Sequence, residues 1–289
     1  MLEGTHPFPE EFVKLYYQRR WWLGIPLGEM LDRSCDLYPY KEALIAESER
    51  VTYRQLKEWT DLAAICFLEL GIKKLDRVLL QIPNWKEFVY AYYGLHKMGA
   101  IPVMCLPRFS QREMEHFCKV TEARAWVVPF SFEKIDYLPM IESIRSHQLL
   151  LEHILIIGPK EKGNDPLPRG TLSFNSLLKK VELNQYPKDY LQSFRPDPDE
   201  ICHLMPTGGT TGLPKLVPRT HNDWFCNIEY RAKAWQRSPH DITLIATPIT
   251  HNMAIEVSLN PSFLTGGQVV MITSTRPCTG YLFMRQKWG

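Results

Sequence analysis

Thr207-Gly208-Gly209-Thr210-Thr211-Gly212-Leu213-Pro214-Lys215 follows directly on Ile201-Cys202-His203-Leu204-Met205, an apolar run of strand character. Glycines let backbone N–H groups approach anionic oxygens and take φ > 0, threonine hydroxyls add donors, and a lysine adds a mobile positive charge. Gly208, Gly209, Gly212, Thr207, Thr210, Thr211 and Lys215 thus assemble the parts of a phosphate-holding loop right after a strand, with Pro214 stiffening its exit. A flexible Gly/Thr turn is the plainer alternative. A Walker A loop needs Gly-Lys-Ser/Thr opening a helix; here Pro214 precedes Lys215 and Leu216 follows it.

Strand and helix signals alternate on either side. Thr52 and Gln55 have capping-box spacing and Gly71 sits where a C-terminal glycine belongs, so residues 52–70 read as a helix. Leu56, Trp59, Leu62, Ala63, Cys66, Phe67 and Leu70 share one of its faces. Residues 78–82 read as a buried strand, Asn84 is placed to cap a helix through about Lys97, and Gly99 closes it. Residues 101–105, 125–128 and 154–157 repeat the strand signal, with an amphipathic stretch at 135–146. Residues 159–200 are a polar, Pro- and Gly-punctuated connection around one short helix, near Phe174–Lys180. Beyond the loop, Asn222 or Asp223 starts a helix through about Gln236, and 242–246 and 268–272 are further strands. Such alternation implies right-handed crossovers and mainly parallel sheets flanked by helices, an α/β fold. The aromatic-rich opening, residues 1–26, reads as an arm packed on the body, and 276–289 shows no core pattern.

Composition narrows the function classes. A chain of 289 residues with 45% apolar and 23% charged content can build a sizeable core, in two packed lobes. A net charge of +2 on scattered Lys and Arg points to no nucleic-acid partner. Residues 1–9 lack the basic-then-apolar pattern of a secretory leader, and no apolar run approaches the roughly 18 residues of a membrane span. Seven cysteines, Cys35, Cys66, Cys105, Cys118, Cys202, Cys226 and Cys278, are odd in number and never spaced CxxC. They read as reduced thiols in a cytoplasm, with no zinc site or disulfide framework.

The loop 207–215 resembles the signature loop of the adenylate-forming ligase superfamily, which includes acyl-CoA synthetases, nonribosomal-peptide adenylation domains and luciferases. Thr52-Tyr53-Arg54-Gln55-Leu56, Asp76-Arg77-Val78 and Lys97-Met98-Gly99-Ala100-Ile101-Pro102-Val103 resemble three further elements of that family. The resemblance covers nearly the whole chain. The superfamily more often has Ser-Gly-Thr-Thr-Gly. The second glycine here, followed by Lys215-Leu216-Val217-Pro218-Arg219-Thr220-His221-Asn222-Asp223, resembles the aryl-acid-activating ligases of siderophore pathways, of 2,3-dihydroxybenzoate–AMP ligase type. Gln81-Ile82-Pro83-Asn84-Trp85-Lys86-Glu87-Phe88 and Pro7-Phe8-Pro9 fit the same group.

The resemblance implies ATP with Mg²⁺ as cofactors and a reaction of carboxylate plus ATP giving acyl-adenylate plus pyrophosphate. Thr207, Gly208, Gly209, Thr210, Thr211, Gly212 and Lys215 would hold the phosphates. Pro248-Ile249-Thr250-His251-Asn252 follows a strand, where open α/β sheets bind ligands. By resemblance, His251 borders the junction of acid and nucleotide, and Asn252 hydrogen-bonds the ortho-hydroxyl of the acid. A capped loop with a structural His-Asn pair is the bland alternative. Lys215 and His251 would be the catalytic residues and His251, Asn252 and Val257 the acid pocket. Aryl ligases commonly place a small hydroxyl residue where Val257 stands, and the stretch to Gly266-Gly267 is about one residue shorter here. That leaves salicylate, another hydroxylated aryl or heteroaryl acid, or a non-aryl acid open. The partners implied are a small aryl acid and, in a full-length relative, an aryl carrier protein, with neither nucleic acid nor membrane.

An aromatic-Gly-x-Thr/Ala-Glu element, a Thr-Gly-Asp ribose element and a lysine-bearing C-terminal domain normally lie further on, and none occurs past Gly267. The expectation is a partial adenylation domain over 1–289, its C-terminal domain absent. The tail 276–289 would then come from truncation or a frameshift, leaving the chain inactive or weakly active alone. An acyl-CoA or other acid-activating ligase fragment and a non-catalytic remnant are the alternatives.

Overall fold

Strands that are apolar at consecutive positions need cover on both faces. The computed structural model, which describes residues 5–148, 150–158, 167–208 and 212–273, provides that cover with two sheets and helices between and outside them. The tail 276–289, with Cys278, lies outside the described residues. A seven-stranded sheet runs, in spatial order, Leu216–Thr220, Ile201–Pro206, Ile101–Met104, Arg77–Leu80, Ala125–Pro129, His153–Ile157 and Leu172–Ser173. Every neighbouring pair is parallel except the first. A four-stranded sheet runs Ile242–Ile245, Gln268–Met271, Glu42–Ala46 and Glu49–Thr52, parallel except for its last pair.

Helices Tyr53–Glu69 and Lys86–Met98 fill the space between the sheets. The second is buried at every position from Glu87 to Met98. The two can approach closely because Gly94 faces Ala63: a Cβ on Gly94 would lie 2.8 Å from the Ala63 Cβ. Val78 and Leu80 point into this inner core, whereas Leu79, Ile101 and Val103 point into a second one under helices Gln111–Thr121 and Leu138–His147. Lys97 is buried in the inner layer and held by Asp32 at 2.6 Å and Asp61 at 2.5 Å. These carboxylates outweigh the burial of Lys97, whose pKa is raised.

The local signals mostly hold. Thr52 forms the capping box with Gln55, and Gly99 ends its helix in the left-handed region at φ 72°. The arm packs on the body, Tyr17 accepting a 2.6 Å bond from the Asn222 amide. All six described cysteines are free thiols, and five are buried. Burial pushes Cys35, Cys66 and Cys118 up to about 12. Among the described residues no helix is long and apolar enough to cross a membrane.

Two expectations change, and one strand was not expected. Asn84 does not cap the following helix: Trp85 occupies that position without a side-chain bond, and Asn84 is buried elsewhere. Thr220, not Asn222 or Asp223, caps helix His221–Ala234, its hydroxyl accepting the Asp223 N–H at 3.1 Å. Leu216–Thr220 is a strand, so the chain leaving the Gly/Thr loop doubles back antiparallel at the sheet edge. An edge tolerates Pro218, which has no N–H to give.

Candidate functional site

The loop 207–215 is therefore the tip of a hairpin. Its neck is closed twice: the Thr207 N–H donates to the Lys215 carbonyl at 2.8 Å, and the Lys215 N–H donates to the Thr207 hydroxyl at 3.1 Å. Thr207 thus spends one lone pair of its hydroxyl on the neck. Gly209, Thr210 and Thr211 lie outside the described residues. Gly208 and Gly212 are exposed, and a Cβ on either would meet nothing within 4 Å. Neither takes a positive φ, contrary to expectation, so their lack of side chain serves open approach to the backbone. Lys215 is exposed while Pro214 beside it is buried, anchoring the loop's exit.

The second candidate element follows a strand of the other sheet. Strand Ile242–Ile245 leads into a turn in which the His251 N–H donates to the Pro248 carbonyl at 2.9 Å. The His251 carbonyl then accepts from Ala254 at 3.0 Å and Ile255 at 3.3 Å, opening a π-helix over Met253–Leu259. Such wide turns are rare and gather at functional sites. The His251 Nδ1 accepts the Met253 N–H at 3.2 Å. That assigns the neutral tautomer with the proton on Nε2, facing outward as a donor. Asn252 is exposed, and among the described residues its amide has no hydrogen-bond partner. Val257 is half-buried, and its carbonyl accepts from Arg237 at 3.4 Å. Glu256, one residue earlier, is buried and paired with Arg231 at 2.9 Å, which leaves it no part in an acid pocket.

Residues 31–284 match the family described as AMP-binding enzyme. The chain belongs to that family. The chain is 29% identical over 292 residues to 2,3-dihydroxybenzoate-AMP ligase of Bacillus subtilis, covering 99% of this chain and 50% of that one. It is 32% identical over 259 residues to salicyl-AMP ligase / salicyl-S-ArCP synthetase of Mycobacterium tuberculosis, covering 88% and 43%. Among solved structures, the apo structure of Mycobacterium smegmatis MbtA superposes with a TM-score of 0.86 at 31% identity, covering 98% of this chain and 50% of that one. The chain thus spans about half the length of these relatives. The family match runs into the stretch 276–289.

Two features of this AMP-binding domain carry no local sequence signal. Behind the hairpin, His203 on its first strand, His221 on the following helix and His96 on the central helix form a fully buried cluster. The rings of His96 and His221 lie 5.5 Å apart and those of His96 and His203 6.1 Å apart. Desolvation holds all three well down, His221 to about 3, which keeps them neutral. The second feature is the buried pair Gln81 and Asn84 at the carboxyl end of strand Arg77–Leu80.

Proposed function

We propose that this domain binds ATP and an aryl carboxylic acid of the salicylate or 2,3-dihydroxybenzoate type, as part of a ligase that forms the acyl-adenylate for siderophore or nonribosomal peptide synthesis. The observation that carries the reading is the Asn252 amide, which has no hydrogen-bond partner among the described residues, next to His251, whose Nδ1 accepts the Met253 N–H, after a strand's carboxyl end. An amide can both donate to and accept from a ring hydroxyl ortho to the carboxylate. The residues present fit a nucleotide triphosphate: the hairpin tip offers open glycine backbone at Gly208 and Gly212, the Thr207 hydroxyl and the exposed Lys215. Gly209, Thr210 and Thr211 extend that set by sequence.

Bound ATP, with Mg²⁺ as counter-ion of its phosphates, supplies an electrophilic α-phosphorus and a good leaving group. The chain's own residues position and neutralise. Lys215 and the loop backbone offset the phosphate charge. His251 donates Nε2–H at the junction of acid and nucleotide. Asn252 orients the acid through its hydroxyl. No general base is required, because a carboxylate is already ionised at neutral pH. Val257 offers an apolar side chain where a second ring hydroxyl would point, which favours salicylate over the dihydroxy acid. The Mycobacterium tuberculosis relative is named a salicyl-S-ArCP synthetase, and an aryl carrier protein is the partner this reading implies.

Calorimetric titration with salicylate and benzoate in the presence of ATP and Mg²⁺ tests the reading. Salicylate should bind roughly tenfold more tightly, the worth of one net hydrogen bond. Asn252→Leu should remove that difference while leaving benzoate unchanged. Equal affinities for the two acids in the unaltered protein would overturn the assignment of Asn252.

A further inference from the structure

The run Gln81-Ile82-Pro83-Asn84 sits at the carboxyl end of strand Arg77–Leu80, the middle strand of the large sheet. The order in which strands join the sheet reverses here, from Ile101–Met104 on one side to Ala125–Pro129 on the other. The strand's own crossover, helix Lys86–Met98, packs on the inner core, whereas the crossover from neighbouring Ile101–Met104, helix Gln111–Thr121, packs on the outer one. Such a switch point opens a crevice between the two departing loops, and open α/β sheets bind ligands there. In this protein the crevice is largely occupied by the protein's own amides. The Gln81 Nε2 donates to the carbonyls of Leu106 and Pro107, both at 3.4 Å, and of Phe109 at 3.1 Å. A cavity of about 90 Å³ remains, lined in part by Asn84, Pro107, Arg108 and Pro248.

Asn84 reaches the other way, across to the small sheet. Its Nδ2 donates to the Thr247 carbonyl at 3.0 Å and to the Ile272 carbonyl at 3.1 Å. Its Oδ1 accepts the Ile249 N–H at 2.7 Å. Two carbonyls and one N–H fix the orientation of the amide. Thr247 and Ile272 follow strands Ile242–Ile245 and Gln268–Met271, and Ile249 lies two residues before His251. One buried side chain therefore ties the large sheet to the carboxyl ends of two strands in the small one, and pins the turn that presents the site.

We propose that Asn84 is a positioning residue for this site: it holds the Thr247–Ile249 turn so that His251 and Asn252 are presented in one fixed place relative to the large sheet that carries the phosphate hairpin. The inference rests on the acid- and nucleotide-binding reading above for its functional consequence, and on geometry alone for its structural one. A purely structural core residue would lower protection everywhere when removed. A positioning residue acts on one turn.

Hydrogen–deuterium exchange on the 289-residue chain separates these. Asn84→Ala should speed exchange in peptides spanning 246–253 at least tenfold and leave Ala125–Pro129 and Tyr53–Glu69 unchanged. Gln81→Ala should do the reverse, loosening 105–110 and sparing 246–253. If Asn84→Ala does not fold, Asn84→Asp decides the point. It keeps the acceptor for Ile249 but faces two carbonyls, so the expected result is Ile249 protected as before with faster exchange at 271–273. Titration with salicylate and ATP then reads the function: Asn84→Ala should weaken salicylate at least tenfold without changing the midpoint of urea unfolding by more than the Gln81→Ala variant does. Exchange at 246–253 within twofold of the parent, or loss of protection spread evenly over the chain, would overturn the proposal. Absence of salicylate binding in the parent would overturn the functional reading and leave the exchange result to decide on Asn84.

Discussion

Acidification should unfold this domain through three histidines. His96, His203 and His221 are fully buried, and each is held neutral first by desolvation, with Arg219 adding to this at His203 and Lys74 at His221. His96 faces the other two, His203 faces Arg219 and His221, and His221 faces Lys74. No carboxylate compensates: neither nitrogen of His96 has a partner, and the His221 Nδ1 accepts the Leu27 N–H, which a protonated ring could not do. The folded pKa values lie below the unfolded one of about 6.5, so the unfolded chain binds more protons in acid. The contribution is fully present above pH 6.5 and is lost as pH falls below it. Linkage gives about 2 kcal/mol per buried histidine at pH 5.0, hence about 6 kcal/mol for three. A domain of ordinary stability holds about 5–15 kcal/mol, so a loss of about 6 kcal/mol is a large share of it. Urea unfolding at pH 7.5, 6.5, 5.5 and 5.0 measures the loss. His96→Phe should fold and reduce the pH 7.5-to-5.0 loss by about a third, or about 2 kcal/mol. Stability unchanged between pH 7.5 and 5.0, or a His96→Phe slope equal to that of the parent, would refute the reasoning.

Other perturbations have defined outcomes. Lys97→Ala leaves Asp61 without its partner, while Asp32 keeps Lys57 at 3.3 Å, and should cost about 3 kcal/mol in urea unfolding at neutral pH; Lys97→Arg, which keeps the charge, should cost less. Thr52→Ala removes one half of a capping box and should cost about 1 kcal/mol by the same measurement. Thr207→Val loses the acceptor that closes the hairpin neck, so ATP affinity should fall while the unfolding midpoint holds, both readable by titration and melting. Ile242 and Leu244 are exposed on the outermost described strand of the small sheet, an arrangement that invites pairing. Sedimentation should show self-association that Leu244→Lys reduces.

Residues whose partners are near in sequence were legible, and residues whose partners are distant were not. Thr52 and Gln55 lie within one helical turn of each other, so their spacing alone foretells the capping box. Gly99 reads as a terminator because the left-handed position it fills follows directly on the helix. Asn84 stands where a helix cap could stand, and local chemistry favours that use. Its real partners lie 163, 165 and 188 residues away, and three hydrogen bonds, one buried and two part-buried, outweigh one exposed cap. Leu216–Thr220 escaped because an edge strand with Pro218 needs neither alternation nor continuous apolar character. The π-helix Met253–Leu259 has no composition of its own, and His96, His203 and His221 are scattered along the chain.

The same division runs through the site. Gly208, Lys215, His251 and Asn252 are the groups that would touch ligand, and each sits in a short run whose residue types declare a chemistry. What aims them is drawn from elsewhere: the neck bonds of Thr207, the turn held by Asn84, the packing of Gly94 on Ala63 that lets the central helix sit between the sheets. A phosphate loop on one sheet and an acid-reading amide on the other can serve one reaction only if the sheets keep a fixed relation. Asn84 bonds directly between the carboxyl ends of strands in both, so on the proposed reading the constraint that would make two sequence motifs into one site passes through a residue outside either motif.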